Sequence, residues 1–334
     1  MMFLAFLAVY AALQCFAEES PLVEIYYINL NSSIDRRLAM ESYLDGLGYP
    51  YQRINAVDTR YLKYDLSEAT ASQFCDSKTK PLIIPAHFLH FTSIHIQNLC
   101  IRKLNNMKEI GCTLSHLVAM FTLLSSPSKA PYALILEDDM RLALDIDFAR
   151  FIATFPNDFG IIQMMTSNGR QIEPMLRKYQ RRGVQYEERG HRDFWCTGGY
   201  LLNKAVIRRE LEGILALQKA ESGVFRMDLI AGFNRPCAPS SCCEQLTFTH
   251  KFPCVLASRG VSADNYIYFI AYGRTYVTTV PLIRGTSLGN VSTIHQTFVQ
   301  FTNAALVRVE EIIALMKRGR LPLPPYVRDS VVKV

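Results

Sequence analysis

Tyr132-Ala133-Leu134-Ile135-Leu136-Glu137-Asp138-Asp139 is the stretch on which the reading of this chain turns. Five apolar residues run straight into three carboxylates. A central parallel strand, buried on both faces, needs such an unbroken apolar run. In open α/β sheets ligands bind beyond the carboxyl ends of the strands, where this acidic triplet falls. Adjacent carboxylates repel one another and are costly to keep ionised without a counter-charge. Mn²⁺ or Mg²⁺, held by one or two carboxylates and completed by water and substrate phosphates, supplies one. Alternation along an extended strand end predicts Glu137 and Asp139 on one side and Asp138 on the other. Asp139 is therefore the expected metal ligand, with Glu137 or Asp138 meeting a sugar or ribose. A plain charged turn is the competing reading, and the flanking sequence bears on the choice.

Upstream, Val23-Glu24-Ile25-Tyr26-Tyr27-Ile28-Asn29-Leu30 reads as a buried strand. Asn31, Ser32, Ser33 and Asp35 supply turn and capping chemistry. A helix is predicted from Arg36 to Leu47, with Leu38, Tyr43, Leu44 and Leu47 partly on one side and Gly48 as its left-handed stop. Tyr51 to Val57 reads as a second strand, and strand, helix, strand in this order argues for a parallel α/β sheet. Residues 59 to about 106, with Pro81 and Pro85, read as an insertion with some helix. A helix from Gly111 to about Ser125 leads to the linker Ser126-Pro127-Ser128.

Downstream, Phe159 to Met165 reads as another buried strand, and Thr197-Gly198-Gly199-Tyr200 precedes a helix predicted from Lys204 to Leu217. From about 220 the pattern suggests short strands and loops, closed by a helix near Leu306 to Lys317. The fold class that follows is α/β: a mostly parallel sheet flanked by helices, in one domain.

Composition bounds the answer more loosely. The chain has 334 residues, 49% hydrophobic and 20% charged, which excludes a mainly disordered or fibrous protein. A formal charge of +6 is spread over scattered lysines and arginines, with no aromatic-basic motif, so no nucleic-acid partner is expected. The densest basic run, Arg177 to Arg182, reads as a solvated face. Met1 to Ala17 is uncharged and apolar, short for a membrane span, with Cys15 and Ala17 placed for cleavage after Ala17. Residues 1–17 are expected to be a secretory signal. The absence of a basic n-region leaves an uncleaved anchor open, and no second apolar stretch spans a bilayer. Of nine cysteines, eight remain once Cys15 goes, an even count that permits disulfides in a secretory lumen. Cys237, Cys242, Cys243 and Cys254 are the expected place for them, with zinc as the sharper alternative. Cys112 and Cys196 read as core thiols.

Three segments together resemble glycosyltransferase family 25, which includes lipopolysaccharide galactosyltransferases and collagen β-galactosyltransferases. They are Ile28-Asn29-Leu30 with Asp35-Arg36-Arg37 and Asn55-Ala56-Val57-Asp58; Glu109-Ile110-Gly111-Cys112-Thr113-Leu114-Ser115-His116; and Ala133 to Asp139. Weaker echoes run through Gly198-Gly199-Tyr200, Met227-Asp228 and Pro281 to Ile294. Two features depart from the family: Lys108 stands where a glycine is more usual, and the cysteine-rich 237–254 stretch has no counterpart. Sequons at Asn31 and Asn290 fall inside family motifs, and Asn31 is expected to stay unmodified.

The resemblance implies a GT-A-like fold, with residues 18–140 as the nucleotide-sugar half and 141–334 as the acceptor half of the same domain. It implies inverting transfer, favouring galactose, from a UDP-sugar to a hydroxyl on a protein or glycan. The acidic motif maps onto Glu137-Asp138-Asp139, with Asp139 and Glu137 as metal ligands and Asp138 on the donor. Asn29, Leu30 and Arg37 would line the nucleotide pocket, Arg37 either meeting a phosphate or making a surface salt bridge. Ser115 or His116 could touch the donor, His116 being either catalytic or packed under the sheet. Asp228 is the candidate general base, with a helix cap as its plainer role. His250 and His295 could complete the metal shell or be structural. Two rivals remain: a non-catalytic lumenal relative, and a metal-dependent phosphohydrolase, which should have further His/Asp metal ligands for a two-metal site and for which no convincing second cluster is visible.

Overall fold

The computed structural model describes residues 20–61, 63–64, 79–83, 98–102, 107–190, 194–212, 263–271, 273–286 and 299–328. The residues 1–17, Asp228, His250, His295, the 237–254 cysteines and the segment from Asn290 to Ile294 lie outside them.

The chain opens with β1 (Val23–Asn29), every residue of which is buried. The Asn31-Ser32-Ser33 turn then leads into α1 (Ile34–Asp45), with Ser33 at its N-cap position. The helix thus starts and stops two residues earlier than the sequence suggests, and Gly48 sits just beyond it at φ 71°. Met40 and Leu44 are the residues it buries, whereas Leu38 is 56% exposed. Stretched by one helical turn in each direction, the stripe through Met40 and Leu44 selects Arg36. β2 (Tyr51–Asn55) pairs parallel with β1, ending two residues short of Val57.

The 59–106 stretch was expected to carry helix, and beyond the single 3-10 turn Thr59–Tyr61 its described elements are strands. β3 (Lys63–Tyr64), β4 (Thr79–Ile83) and β5 (Asn98–Arg102) form a small antiparallel sheet. Pro81 lies opposite Cys100 of β5, and the described β3 residues pair with Leu82 and Ile83.

α2 (Met107–Ser125) runs back to β6 (Tyr132–Glu137), followed by β7 (Met140–Leu142), α3 (Phe148–Ala153), β8 (Ile161–Gln163), α4 (Gly169–Arg182), β9 (Tyr186–Glu188) and β10 (Gly199–Asn203). A helix over residues 204–212 (α5) continues from β10. Where short strands and loops were expected past 220, the described residues begin with a helix, α6 (Ala263–Phe269). It precedes β11 (Thr275–Thr278), β12 (Ile283–Gly285) and α7 (Val299–Lys317).

Seven of these strands make one sheet in the order β2-β1-β6-β10-β8-β11-β9. β10 and β9 run against the other five, so the sheet is mixed but mostly parallel. β7 and β12 form a separate two-stranded ribbon. The pleat sorts each strand's side chains between two cores. Tyr26, Ile28, Ala133, Ile135 and Tyr200 face α2 and α6. Ile25, Tyr27, Leu134, Leu136 and Leu201 face α1, α4 and α7. Leu134, Ile135 and Leu136 are fully buried, each contributing about 1.5–3 kcal/mol of apolar burial. The apolar run before the triplet is therefore a central strand covered on both faces, as its composition requires.

Candidate active site

β1 and β6 run in register, Ile28 opposite Glu137. The Asp138 N–H donates to the Ile28 carbonyl at 3.1 Å, and the Glu137 N–H to the Gly198 carbonyl at 2.9 Å. The carboxyl ends of two parallel strands and the entry to antiparallel β10 therefore meet at the acidic triplet. Gly199 permits that approach, because a Cβ there would lie 2.5 Å from Ile283 Cδ1 and 3.0 Å from Leu136 Cδ2.

The pleat divides the triplet. Glu137 continues the Ala133–Ile135 side and reaches the face covered by α2. Asp138 falls on the face of α1, where Asn29 Nδ2 donates to its Oδ2 at 2.7 Å and Arg36 Nη1 to its Oδ1 at 3.0 Å. Strand alternation places Asp139 back with Glu137, and here that expectation fails. β6 ends at Glu137 and the chain turns, so Asp139 joins Asp138 on Arg36, at 3.4 Å. The Arg141 guanidinium closes the turn from beneath, donating to the carbonyls of Asp138 at 3.2 Å and Met140 at 2.7 Å and lying over the Tyr43 ring. The Thr286 N–H donates to the Asp139 carbonyl at 2.7 Å, tying the end of the β12 segment to the same turn.

Electrostatics separates the carboxylates further. Asp139 is pushed up to about 7, by burial first and then by the charges of Glu137 and Asp138, with Arg36 opposing. Its Oδ1 is buried with no hydrogen-bond partner. Burial would also raise Glu137, but the His116 imidazole, the Thr197 hydroxyl and the Arg36 charge outweigh it and hold its carboxyl below the ordinary value. An orphaned carboxylate oxygen beside two further carboxylates is a hard-oxygen donor set, and these residues fit Mn²⁺ or Mg²⁺.

On the α2 face, His116 is 1% exposed. Its Nδ1 is hydrogen-bonded to the Tyr200 hydroxyl at 2.8 Å, and its Nε2 lies 3.4 Å from Glu137 Oε1. Thr197 Oγ1 donates to the same Glu137 oxygen at 2.9 Å. Burial, with the Glu137 charge next, pushes the thiols of Cys112 and Cys196 well up, and both are free cysteines.

Other expected residues sit differently. Ser115 is committed within the fold: its hydroxyl donates to the Gly111 carbonyl at 2.6 Å and accepts from the Val57 N–H at 2.8 Å. Leu30 is half-buried and ends β1 as its carbonyl accepts from the Ser33 N–H. Arg37 is half-buried one position round the helix from the stripe facing the turn, and the guanidinium that meets the carboxylates is that of Arg36. Arg36, Arg141, Thr197, Tyr200 and Cys112 belong to the site without having been singled out for it. The spacing of Arg36 to Met40 and Leu44, and of Cys112 to His116, carried a signal for two of them.

The loop bearing Thr197 is held by a buried polar network. Gln163 Nε2 donates to the carbonyls of Met165 at 2.8 Å, Trp195 at 3.1 Å and Cys196 at 3.1 Å. Arg189 donates to Gln163 Oε1 at 3.0 Å and to the carbonyls of Phe194 at 2.9 Å and Asp264 at 2.7 Å. Asp264 Oδ1 accepts from the Cys196 N–H, and the Tyr268 hydroxyl donates to the Cys196 carbonyl, both at 2.7 Å. Cys196 is the non-glycine residue with positive φ among those described, at 105°. Such a conformation persists where the surroundings over-determine it.

The fold is of the α/β class, a mostly parallel sheet with an acidic turn at the carboxyl ends of its central strands. The sequence narrows the class: residues 22–218, more than half of the chain, match the model of glycosyltransferase family 25 (LPS biosynthesis protein). The chain belongs to that family. Among solved structures it is similar to the galactosyltransferase LgtC in complex with donor and acceptor sugar analogs, at 10% identity and a TM-score of 0.35, over 90% of this chain and 97% of that one. It is also similar to mouse xyloside xylosyltransferase 1 in its apo form, at 13% identity and a TM-score of 0.30, over 76% and 71%. No curated protein matches the chain.

Proposed function

We propose that this chain is an inverting, metal-assisted transferase that moves a sugar, with galactose favoured, from a UDP-sugar to a hydroxyl of a protein or glycan in the lumen of the secretory pathway. The observation that supports the reading best is the acidic turn at the ends of β1 and β6, with its buried, partnerless Asp139 Oδ1. Asp139 would hold the Mn²⁺ or Mg²⁺, with Glu137 able to swing in as a second ligand. Bound there, the ion would offset charge on the departing diphosphate.

The protein's own groups do the rest. Asn29 and Arg36 hold Asp138 in place for the donor's ribose or sugar hydroxyls. Arg36, already bridging Asp138 and Asp139, can turn its guanidinium to a phosphate once a cation takes over the carboxylates. Thr197 orients Glu137 toward the donor. The acceptor hydroxyl oxygen attacks the anomeric carbon as the carbon–oxygen bond to the diphosphate breaks. The hydroxyl proton passes to a carboxylate, for which Asp228 remains the candidate. No helix among the described residues is long and apolar enough to cross a membrane, and lumenal placement rests on the apolar run 1–17.

The test is UDP release from a panel of UDP-sugars, with Mn²⁺ and with chelator. Turnover of one donor in Mn²⁺ only, lost in a folded Asp139→Ala protein, is the expected result. No turnover, and no thermal protection by any UDP-sugar, would move the reading to a non-catalytic binding protein.

A further inference from the structure

We propose that Cys112, His116 and Glu137 form a second metal site, for a borderline-soft divalent cation of the zinc class, on the α2 side of the acidic turn and sharing Glu137 with it. The ligand atoms of the three side chains all lie within 4.8 Å of one another. A tetrahedral zinc bound to sulfur, nitrogen and oxygen needs its ligand atoms about 3.3–3.8 Å apart, so contraction by about an ångström completes the set. The Glu137 side chain is 27% exposed and Cys112 is partly buried, so neither is locked as tightly as the imidazole.

His116 is the observation that points to a ligand. Its Nδ1 is engaged by the Tyr200 hydroxyl, which fixes the ring as the outer partner of a metal-bound histidine commonly does. Its Nε2 faces Glu137 and is buried with no hydrogen-bond partner. Cys112 lies one helical turn before His116, so both project from the same side of α2. Three protein ligands with a fourth position open is the arrangement of a reactive or exchangeable zinc site, not a closed structural one.

The two sites sort metals by donor hardness. The acidic turn offers oxygen alone and suits Mn²⁺ or Mg²⁺, whereas sulfur with imidazole selects zinc. Glu137 is common to both neighbourhoods. Zinc on the α2 side would draw Glu137 from Thr197 and from the donor, so zinc should inhibit transfer competitively with Glu137's donor-side role. That last consequence rests on the proposed function; the site itself does not.

The experiment is a Co²⁺ titration of the folded chain, read by the thiolate-to-cobalt absorption band, with Zn²⁺ competing the cobalt out. The expected result is a band lost in Cys112→Ala, retained in Asp139→Ala, and weakened roughly 10–100-fold in affinity by Tyr200→Phe. Each variant is checked for an intact unfolding transition, and Asp139→Ala and Tyr200→Phe report even if Cys112→Ala is unstable. Absence of a band, a band that survives Cys112→Ala and so belongs to another thiol, or equal loss in Asp139→Ala would each overturn the proposal. Because the readout is spectroscopic, a chain that turns over no UDP-sugar still decides it.

Discussion

Replacing Arg189 by methionine isolates what holds the Thr197 loop against the acidic turn. Arg189 is 2% exposed, and its guanidinium serves Gln163 Oε1 and the carbonyls of Phe194 and Asp264 while lying 4.3 Å over the Tyr268 ring. Methionine keeps most of the apolar stem and takes the charged donor from three acceptors, of which the Phe194 carbonyl keeps a bond from Gln163 Nε2 at 3.2 Å. At about 1–3 kcal/mol for each acceptor left unsatisfied, partly relieved by relaxation, the loss is roughly 3–5 kcal/mol. For domains somewhat smaller than this chain, that corresponds to a fall in melting temperature of about 6–20 °C.

Trp195 gives a local readout, because the chain has one tryptophan. It is 38% exposed, and its carbonyl accepts from both Gln163 and the Ser167 N–H. Arg189→Met should shift its emission to the red and reduce thermal protection by donor. Gln163→Leu added to Arg189→Met should cost less than Gln163→Leu alone, since both cut one network. An unchanged melting temperature with unchanged Trp195 emission would refute the claim that this network fixes the loop.

Two further perturbations test the frame around the site. Lys204 and Glu24 form an ion pair with side chains 10% and 9% exposed, so Lys204→Met should destabilise by about 3–5 kcal/mol by stranding a buried carboxylate. Adding Glu24→Gln should recover much of this in a denaturant titration, and no recovery would mean that packing, not charge, sets the cost. Gly199→Ala should cost about 1–3 kcal/mol through overpacking against Ile283. Ile283→Val, which removes the obstructing Cδ1, should relieve it; a melting temperature equally low in the pair would show that the backbone at Gly199 is at fault.

The central strand, its parallel neighbours, the family and the acidic triplet were legible in the sequence alone. Unbroken apolar runs, capping residues and local spacing record near-neighbour physics, and Tyr132 to Asp139 carries the first of them. α1 moved by two residues, and α2 and α7 start at Met107 and Val299 and not at Gly111 and Leu306. The described part of the 59–106 insertion proved to hold strands, because short elements take their form from pairing partners far along the chain. The position of Asp139 could not be read, since alternation stops where β6 turns. Arg36 outranked Arg37 only once Met40 and Leu44 showed which way α1 faces. The meeting of Cys112, His116, Glu137, Thr197 and Tyr200 belongs entirely to the tertiary structure. It requires α2 to cover one pleat face of β6 while antiparallel β10 enters beside it, and no local signal in any one of those segments encodes that crossing.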